Sequence, residues 1–161
     1  LRNSSAASDV YKRQLNELLT RLLPKFDAAP TLFAAYGDAI EVISTSADPE
    51  LTLRRFELLL LEVLGYQIQW QRDFEERPIQ QTAHYCYQPD RGFVPSREAD
   101  TPLVMSGVQL LTLADWQRSG CAIDEICQAK LKGIMRLAIG QRLGGRPLKV
   151  REAVSEWRQL R

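Results

Sequence analysis

The sequence contains a single histidine, His84, and three cysteines, Cys86, Cys121 and Cys127. One histidine excludes catalytic or metal sites that need several imidazole groups, and three cysteines at unrelated spacings do not form a disulfide framework. His84 and Cys86 lie two residues apart on a predicted strand, but two side chains are half of the four ligands that a structural zinc ion usually needs. We therefore predict no metal and no cofactor, and a reducing, cytoplasmic location.

Long apolar runs and catalytic motifs are also missing. The four consecutive leucines Leu58–Leu61 fall far short of the roughly 20 apolar residues of a membrane span, and the polar first residues do not resemble a signal peptide. The sequence has no GxSxG motif and no phosphate-binding glycine loop, since Gly144 and Gly145 follow a predicted helix and are typical of its C-terminal cap. These absences predict no catalytic residues, no enzymatic activity and no membrane partner.

The charge of the chain is unevenly distributed. From Lys130 onward the sequence has nine Lys or Arg residues and two acidic residues, Glu152 and Glu156, which gives a local net charge of +7. The whole chain has a net charge of +1, so the first 129 residues carry −6. Such an excess of positive charge indicates a surface that meets an anion, either nucleic acid or an acidic protein tail. The alternative is a solvated pair of basic helices.

Six basic residues of this region are candidates for DNA contact: Lys132, Arg136, Arg142, Arg146, Lys149 and Arg151. Contacts with phosphates would give affinity without reading the base sequence. Trp157 is the only aromatic residue in this part of the sequence, so the sequence does not indicate a surface on which single-stranded bases stack.

Hydrophobic periodicity predicts a mainly α fold, a helical bundle with a small β-hairpin insert. Helical spacing recurs in six segments, about 15–22, 30–43, 49–64, 106–113, 123–143 and 148–160. Alternating segments at 67–71 and 83–87 and a turn at 89–92 predict the hairpin, with a loop over 95–102. Residues 1–13 show no core pattern, and we predict that they are disordered or do not belong to the native domain.

The third predicted helix has clear ends and a mostly apolar surface. Asp48 is a suitable N-cap, Pro49 suits the first helical position, and Gly65 ends the helix. Arg54, on the flank of a narrow polar stripe, has Leu58 and Leu61 one and two turns further on. A cation beside an apolar groove would bind a peptide that is both acidic and aromatic. The alternative is that Arg54 pairs with a carboxylate of a neighbouring helix and covers the core with its stem.

Several segments together resemble the bacterial DNA-repair mediator family RecO. The two signature stretches are Leu53–Leu58, continuing to Leu64–Tyr66, and Leu143–Glu152. Leu15–Leu19 is similar to the start of the family's helical domain, and Tyr85–Phe93 falls where the family has a hairpin or zinc module. The resemblance covers about residues 14–159, with the segments in the order and spacing of the family.

The resemblance implies a function that composition does not supply. RecO proteins bind single- and double-stranded DNA, anneal complementary strands and, with RecR, help to load RecA onto DNA coated by single-strand-binding protein. They recognise the acidic, phenylalanine-ended tail of that coating protein through the helical domain. By motif, this site maps onto Arg54, Arg55, Leu58 and Leu61. A helical protein–protein scaffold without a nucleic-acid role remains the alternative.

The chain departs from the family pattern in three places. Many relatives have four cysteines in the middle module, whereas this chain has only Cys86 there and resembles the metal-free branch. Val150 replaces a serine of the last motif, so we expect an N-cap of the final helix to be lost or to be supplied by another residue. The family's N-terminal OB-fold is not present. We expect a fragment with a helical domain over residues 14–161 that contains an insert at about 67–102.

Overall fold

The computed structural model describes residues 2–23, 29–45, 48–98, 101, 103–146 and 148–149. These residues form two compact units, one from the chain up to Tyr66 together with the chain from Ile139, and the other from Gln67 to Ala138. The described residues contain five α-helices and three strands, so the predicted mainly α fold with a small hairpin is confirmed. In chain order these are α1 Arg2–Leu22, α2 Pro30–Thr45, α3 Pro49–Val63, β1 His84–Gln88, β2 Gly92–Ser96, β3 Val104–Ser106, α4 Gly107–Ser119 and α5 Glu125–Arg142.

Helix α1 begins much earlier than the sequence indicated. It starts at Arg2, so the described part of residues 1–13 is helical, and whether this segment belongs to the native domain stays a prediction. Ser8 is buried, and its hydroxyl donates a hydrogen bond of 3.0 Å to the carbonyl of Ile43 in α2. A small polar residue that packs through a hydrogen bond leaves no apolar period, which is why the hydrophobic pattern missed this part of the helix.

Helix α3 has the predicted ends and lies against both α1 and α2. The Asp48 side chain accepts a hydrogen bond from the backbone N–H of Leu51 at 3.1 Å, and Pro49 occupies the first turn. Gly65 follows the helix with a φ of +83°, a conformation that glycine adopts without steric cost. The helix is largely buried, as predicted, but its buried residues include Arg54 and Glu57 as well as leucines.

The second unit contains a three-stranded antiparallel sheet in the order β2-β1-β3. The predicted hairpin is confirmed, with Tyr87 opposite Phe93 and Gln88 opposite Gly92. Strand β2 continues through Ser96, so it takes in the first residues of the predicted loop. The rings of Trp70 and Tyr87 lie 5.5 and 5.3 Å from that of Phe93, and all three side chains are buried.

Residues 67–71 alternate as predicted but do not form a strand. Ile68 and Trp70 are buried, while the three glutamines that alternate with them, at 67, 69 and 71, are exposed. Among the described residues, the only β-pairing between this segment and the start of β1 is an isolated bridge between Arg72 and Pro78. Burial on one side produces the alternating pattern whether or not a second strand pairs with the segment.

Helix α4 and the part of α5 up to Ala138 complete the second unit, which therefore continues beyond the predicted insert at 67–102. Ser106 caps α4 in a reciprocal arrangement with Gln109, and Gly120 ends the helix in the left-handed conformation. Helix α5 matches the long helix expected at 123–143, whereas the final helix expected at 148–160 lies almost wholly outside the described residues. No helix in the described ranges is long and apolar enough to cross a membrane.

Candidate nucleic-acid interface

The C-terminal end of α5 is closed by the double glycine, as predicted. Helix α5 ends at Arg142, and Gly144 and Gly145 have φ values of +65° and +75°. The N–H groups of these glycines donate to the carbonyls of Gln141 and Gly140 at 3.1 and 3.0 Å. These bonds occupy carbonyls that have no partner further along the helix, so the turn after α5 has a defined conformation.

Helix α1 holds the segment after this turn. Arg21 donates from its guanidinium to the carbonyl of Arg146 at 3.2 Å and forms an ion pair with Glu17 at 3.1 Å. Glu17 also accepts a hydrogen bond of 2.7 Å from the backbone N–H of Lys149. Helix α1 thus hydrogen-bonds to the backbone of both Arg146 and Lys149, and both basic residues are exposed.

An aromatic residue that the sequence did not assign to this region lies next to Arg142. Tyr66 follows Gly65 at the end of α3, and the guanidinium carbon of Arg142 lies 3.5 Å from the centroid of its ring. Such contact is a cation–π interaction. Tyr66 is also 47% exposed. Tyr66 is far from the basic segment along the chain, and its ring reaches Arg142 from the end of a different helix.

The six candidate DNA-binding residues fall in three groups. Arg142, Arg146 and Lys149 belong to the first unit, where Arg142 is half-buried. Lys132 is half-buried and Arg136 is exposed, four residues apart on α5 in the second unit. Arg151 lies outside the described residues. A role of any of the six in DNA binding stays a prediction.

Arg54 is buried in the first unit rather than placed beside an open groove. It is 3% exposed, and its guanidinium forms ion pairs with Glu57, which is fully buried, and with Glu50 at 3.8 Å. Gln14 of α1 donates a hydrogen bond of 3.4 Å to Glu57. The geometry matches the alternative that Arg54 pairs with a carboxylate in the core, except that both carboxylates belong to its own helix.

The other members of the predicted tail-binding site are divided between core and surface. Leu58 and Leu61 are 3% and 1% exposed, so the expectation of an apolar groove on this face is wrong. The physical reason is that α3 packs against two other helices, which cover the leucine side chains. Arg55, in contrast, is exposed. Binding of an acidic tail by Arg54, Arg55, Leu58 and Leu61 stays a prediction.

Cys127 and Asp73 are among the side chains of the second unit whose pKa values are altered. Burial raises the pKa of the Cys127 thiol to about 11, and a hydrogen bond with Asp124 acts in the same direction. Burial also acts to raise the pKa of Asp73, but hydrogen bonds from the backbone N–H groups of Arg77 and Glu75 outweigh it and hold the pKa below its usual value. Within the described ranges, no three His, Cys, Asp or Glu side chains gather as a metal site would require.

Comparison with known proteins identifies a family. The family model described as "Recombination protein O C terminal" matches residues 11–152. The chain is 40% identical over 140 residues to a protein named DNA repair protein RecO from Pseudomonas paraeruginosa. The aligned residues make up 86% of this chain and 57% of that protein. Proteins of the same name from Nitrosospira multiformis and Halorhodospira halophila are 36% and 34% identical over 149 and 152 residues.

These two matches cover 91% and 94% of this chain and 60% and 63% of the relatives. The chain thus spans somewhat more than half the length of the curated relatives that it matches. Most of the chain is aligned in each case, and the matched family model describes the C-terminal part of the relatives. The chain belongs to the RecO family.

Proposed function

We propose that this chain is a mediator module of recombinational DNA repair that binds DNA phosphates with the basic residues at the end of α5 and in the segment after it. The observation that carries this proposal is the placement of Arg142, Arg146 and Lys149 in one unit, in the part of the sequence with a net charge of +7. The names of the relatives, DNA repair protein RecO, support the same role.

The geometry favours contact with phosphates rather than with base edges. The segment after α5 is held by hydrogen bonds from Arg21 to the Arg146 carbonyl and from the Lys149 N–H to Glu17. These bonds engage the backbone of Arg146 and Lys149, and both side chains are exposed. Positive side chains on such a segment bind phosphates and release counterions, which gives affinity without sequence specificity.

The salt dependence of DNA binding tests this proposal. The double variant Arg146→Ala/Lys149→Ala removes two phosphate contacts, so the slope of log affinity against log salt for duplex DNA should become less steep by up to about 1.8. Fluorescence anisotropy with a labelled duplex measures the slope.

The matched control is Arg97→Ala/Arg118→Ala, which removes two charges from exposed residues of the second unit. It should leave the slope unchanged. Equal slopes for wild type and Arg146→Ala/Lys149→Ala would remove these residues from the DNA surface. Failure of the wild-type chain to bind DNA would favour the protein–protein scaffold.

The partners of the module belong to the same proposal. They are the acidic tail of single-strand-binding protein, and RecR during the loading of RecA. For the tail, Arg55 is the accessible cation of α3, whereas Arg54→Glu would place a third carboxylate beside Glu50 and Glu57 in the core. A peptide that copies the tail should bind Arg55→Glu at least about tenfold more weakly than wild type. Unchanged affinity would place the tail site elsewhere.

A further inference from the structure

We propose that Tyr66 is a base-stacking residue. Together with the basic surface of the first unit, formed by Arg142, Arg146 and Lys149, it makes the chain bind single-stranded DNA more tightly than duplex DNA. This inference rests on the proposed DNA-binding function and adds a residue and a preference to it. It starts from two observations on one side chain: Tyr66 is 47% exposed, and Arg142 lies over its ring at 3.5 Å.

The backbone holds Tyr66 in place before any ligand binds. The N–H of Tyr66 donates to the carbonyl of Leu61 at 2.7 Å, and the N–H of Gly65 donates to that of Glu62 at 2.9 Å. Together with the left-handed Gly65, these bonds fix the residue directly after the end of α3. A side chain on a fixed backbone loses little conformational entropy when a ligand packs on it.

The pairing of Tyr66 with Arg142 fits the chemistry of a nucleotide. The guanidinium covers one face of the ring, and a base can stack on the exposed remainder. A guanidinium above an aromatic ring keeps its positive charge, which attracts a phosphate beside a base that stacks on the same ring. Arg146 and Lys149 of the same unit supply further positive charge for the backbone of the strand.

Single-stranded DNA suits this surface better than the other candidate ligands. The bases of a duplex are already stacked on each other, so a duplex can use the positive charges but not the ring. A peptide that ends in phenylalanine needs an apolar pocket for its ring. The leucines Leu58 and Leu61 of α3, which would have formed such a pocket, are in the core.

The test compares two kinds of DNA with four variants of the full chain. Affinities for a labelled oligothymidine and for a duplex hairpin are measured by fluorescence anisotropy at about 50 mM salt. Tyr66→Ala should weaken binding of the single strand by about fivefold or more, and binding of the duplex by less than about twofold. Tyr66→Phe keeps the ring and should bind both DNAs like wild type.

Phe33→Ala is the matched control, because Phe33 is an exposed aromatic residue of α2, 55% exposed, outside the basic segment. It should change neither affinity. Tyr66→Leu keeps an apolar side chain beneath Arg142, and it should lose single-strand affinity as Tyr66→Ala does. Circular dichroism and thermal unfolding verify that the variants are folded, and Tyr66→Leu carries the test should Tyr66→Ala not fold.

The outcomes separate this inference from the proposed function. If the wild-type chain binds DNA and the loss of the ring weakens neither ligand, or weakens both equally, the stacking role is refuted and phosphate binding stands. If the wild-type chain binds neither DNA, both proposals are refuted. If the loss of the ring weakens only an acidic, phenylalanine-ended peptide, the surface belongs to a protein partner and the inference is overturned.

Discussion

Arg54 and Glu57 form an ion pair in the core of the first unit, one turn apart on α3. Glu57 has no exposed surface, and the Nε of Arg54 is buried without a hydrogen-bond partner among the described residues. Burial of two charges costs desolvation free energy that their attraction only partly offsets. Such a pair contributes less to stability than to the choice of one arrangement, since the fully buried Glu57 carboxylate needs the Arg54 cation beside it.

Removal of one partner should therefore be more costly than removal of both. Arg54→Met leaves the Glu57 carboxylate buried without its cation, so the free energy of unfolding should fall by about 3–5 kcal/mol. The double variant Arg54→Met/Glu57→Leu should recover most of this loss. Urea unfolding measures both. Arg55→Met, at the exposed neighbouring position, is the control and should change stability by about 0.5 kcal/mol or less. A loss for Arg54→Met as small as that of the control would contradict this account.

At the scale of elements, the tight loop between Arg72 and Pro78 is organised by one carboxylate. Asp73 accepts hydrogen bonds from the backbone N–H groups of Glu75 and Arg77 at 2.9 and 3.0 Å, and from the Nε of Arg77 at 2.9 Å. The Asp73 N–H donates to the Arg77 carbonyl at 2.9 Å. The loop leads to Ile79, which is buried, so its conformation sets how this segment enters the core of the second unit.

Because the pKa of Asp73 is lowered, the contribution of this loop to the free energy of unfolding depends on pH in a direction that can be stated. Hydrogen bonds hold its pKa below the usual value of 3.8 in the folded state, so the carboxylate contributes stability above about pH 4, which is lost as the pH falls through the folded pKa. Asp73→Asn should lower the free energy of unfolding by about 1 kcal/mol at neutral pH. Urea unfolding from about pH 7 to pH 3 should show that the difference from wild type shrinks in acid. If the difference in unfolding free energy between wild type and Asp73→Asn stays constant with pH, the Asp73 carboxylate does not cause this pH dependence.

At the scale of the whole molecule, the sheet of the second unit is stabilised by aromatic packing. Trp70, Tyr87 and Phe93 are buried together, and the indole N–H of Trp70 donates to Gln117 of α4 at 2.6 Å. His84 and Cys86 lie on the other face of β1 and are half-buried. A cluster of three rings supplies the apolar burial that a small sheet needs for stability.

Removal of metal should consequently leave the fold intact. Dialysis against a chelator should change the melting temperature by no more than ~1 °C, because we expect the aromatic cluster to supply the stability that a zinc ion gives to other small modules. Elemental analysis should find no stoichiometric zinc. One zinc ion per chain, or unfolding in the chelator, would contradict this prediction and show that the protein binds metal.

Local signals in the sequence predicted the ends of several elements. Asp48 and Gly65 delimit α3, and Gly144 and Gly145 close α5, because capping depends on residues within about one turn of the helix end. The start of α1 escaped prediction because Ser8 is buried through a hydrogen bond and not through an apolar side chain.

The sequence by itself determined the helical class, the hairpin and the basic C-terminal region, since each follows from residues close together in the chain. Only the tertiary structure decided that Arg54 lies in the core and that Tyr66 meets Arg142. The physical reason is that the burial of a side chain is set by the elements that pack around it, and these come from distant parts of the chain. Helical periodicity placed Arg54 on the flank of a polar stripe, but the packing of α1 and α2 against α3 decided which side of that stripe met water.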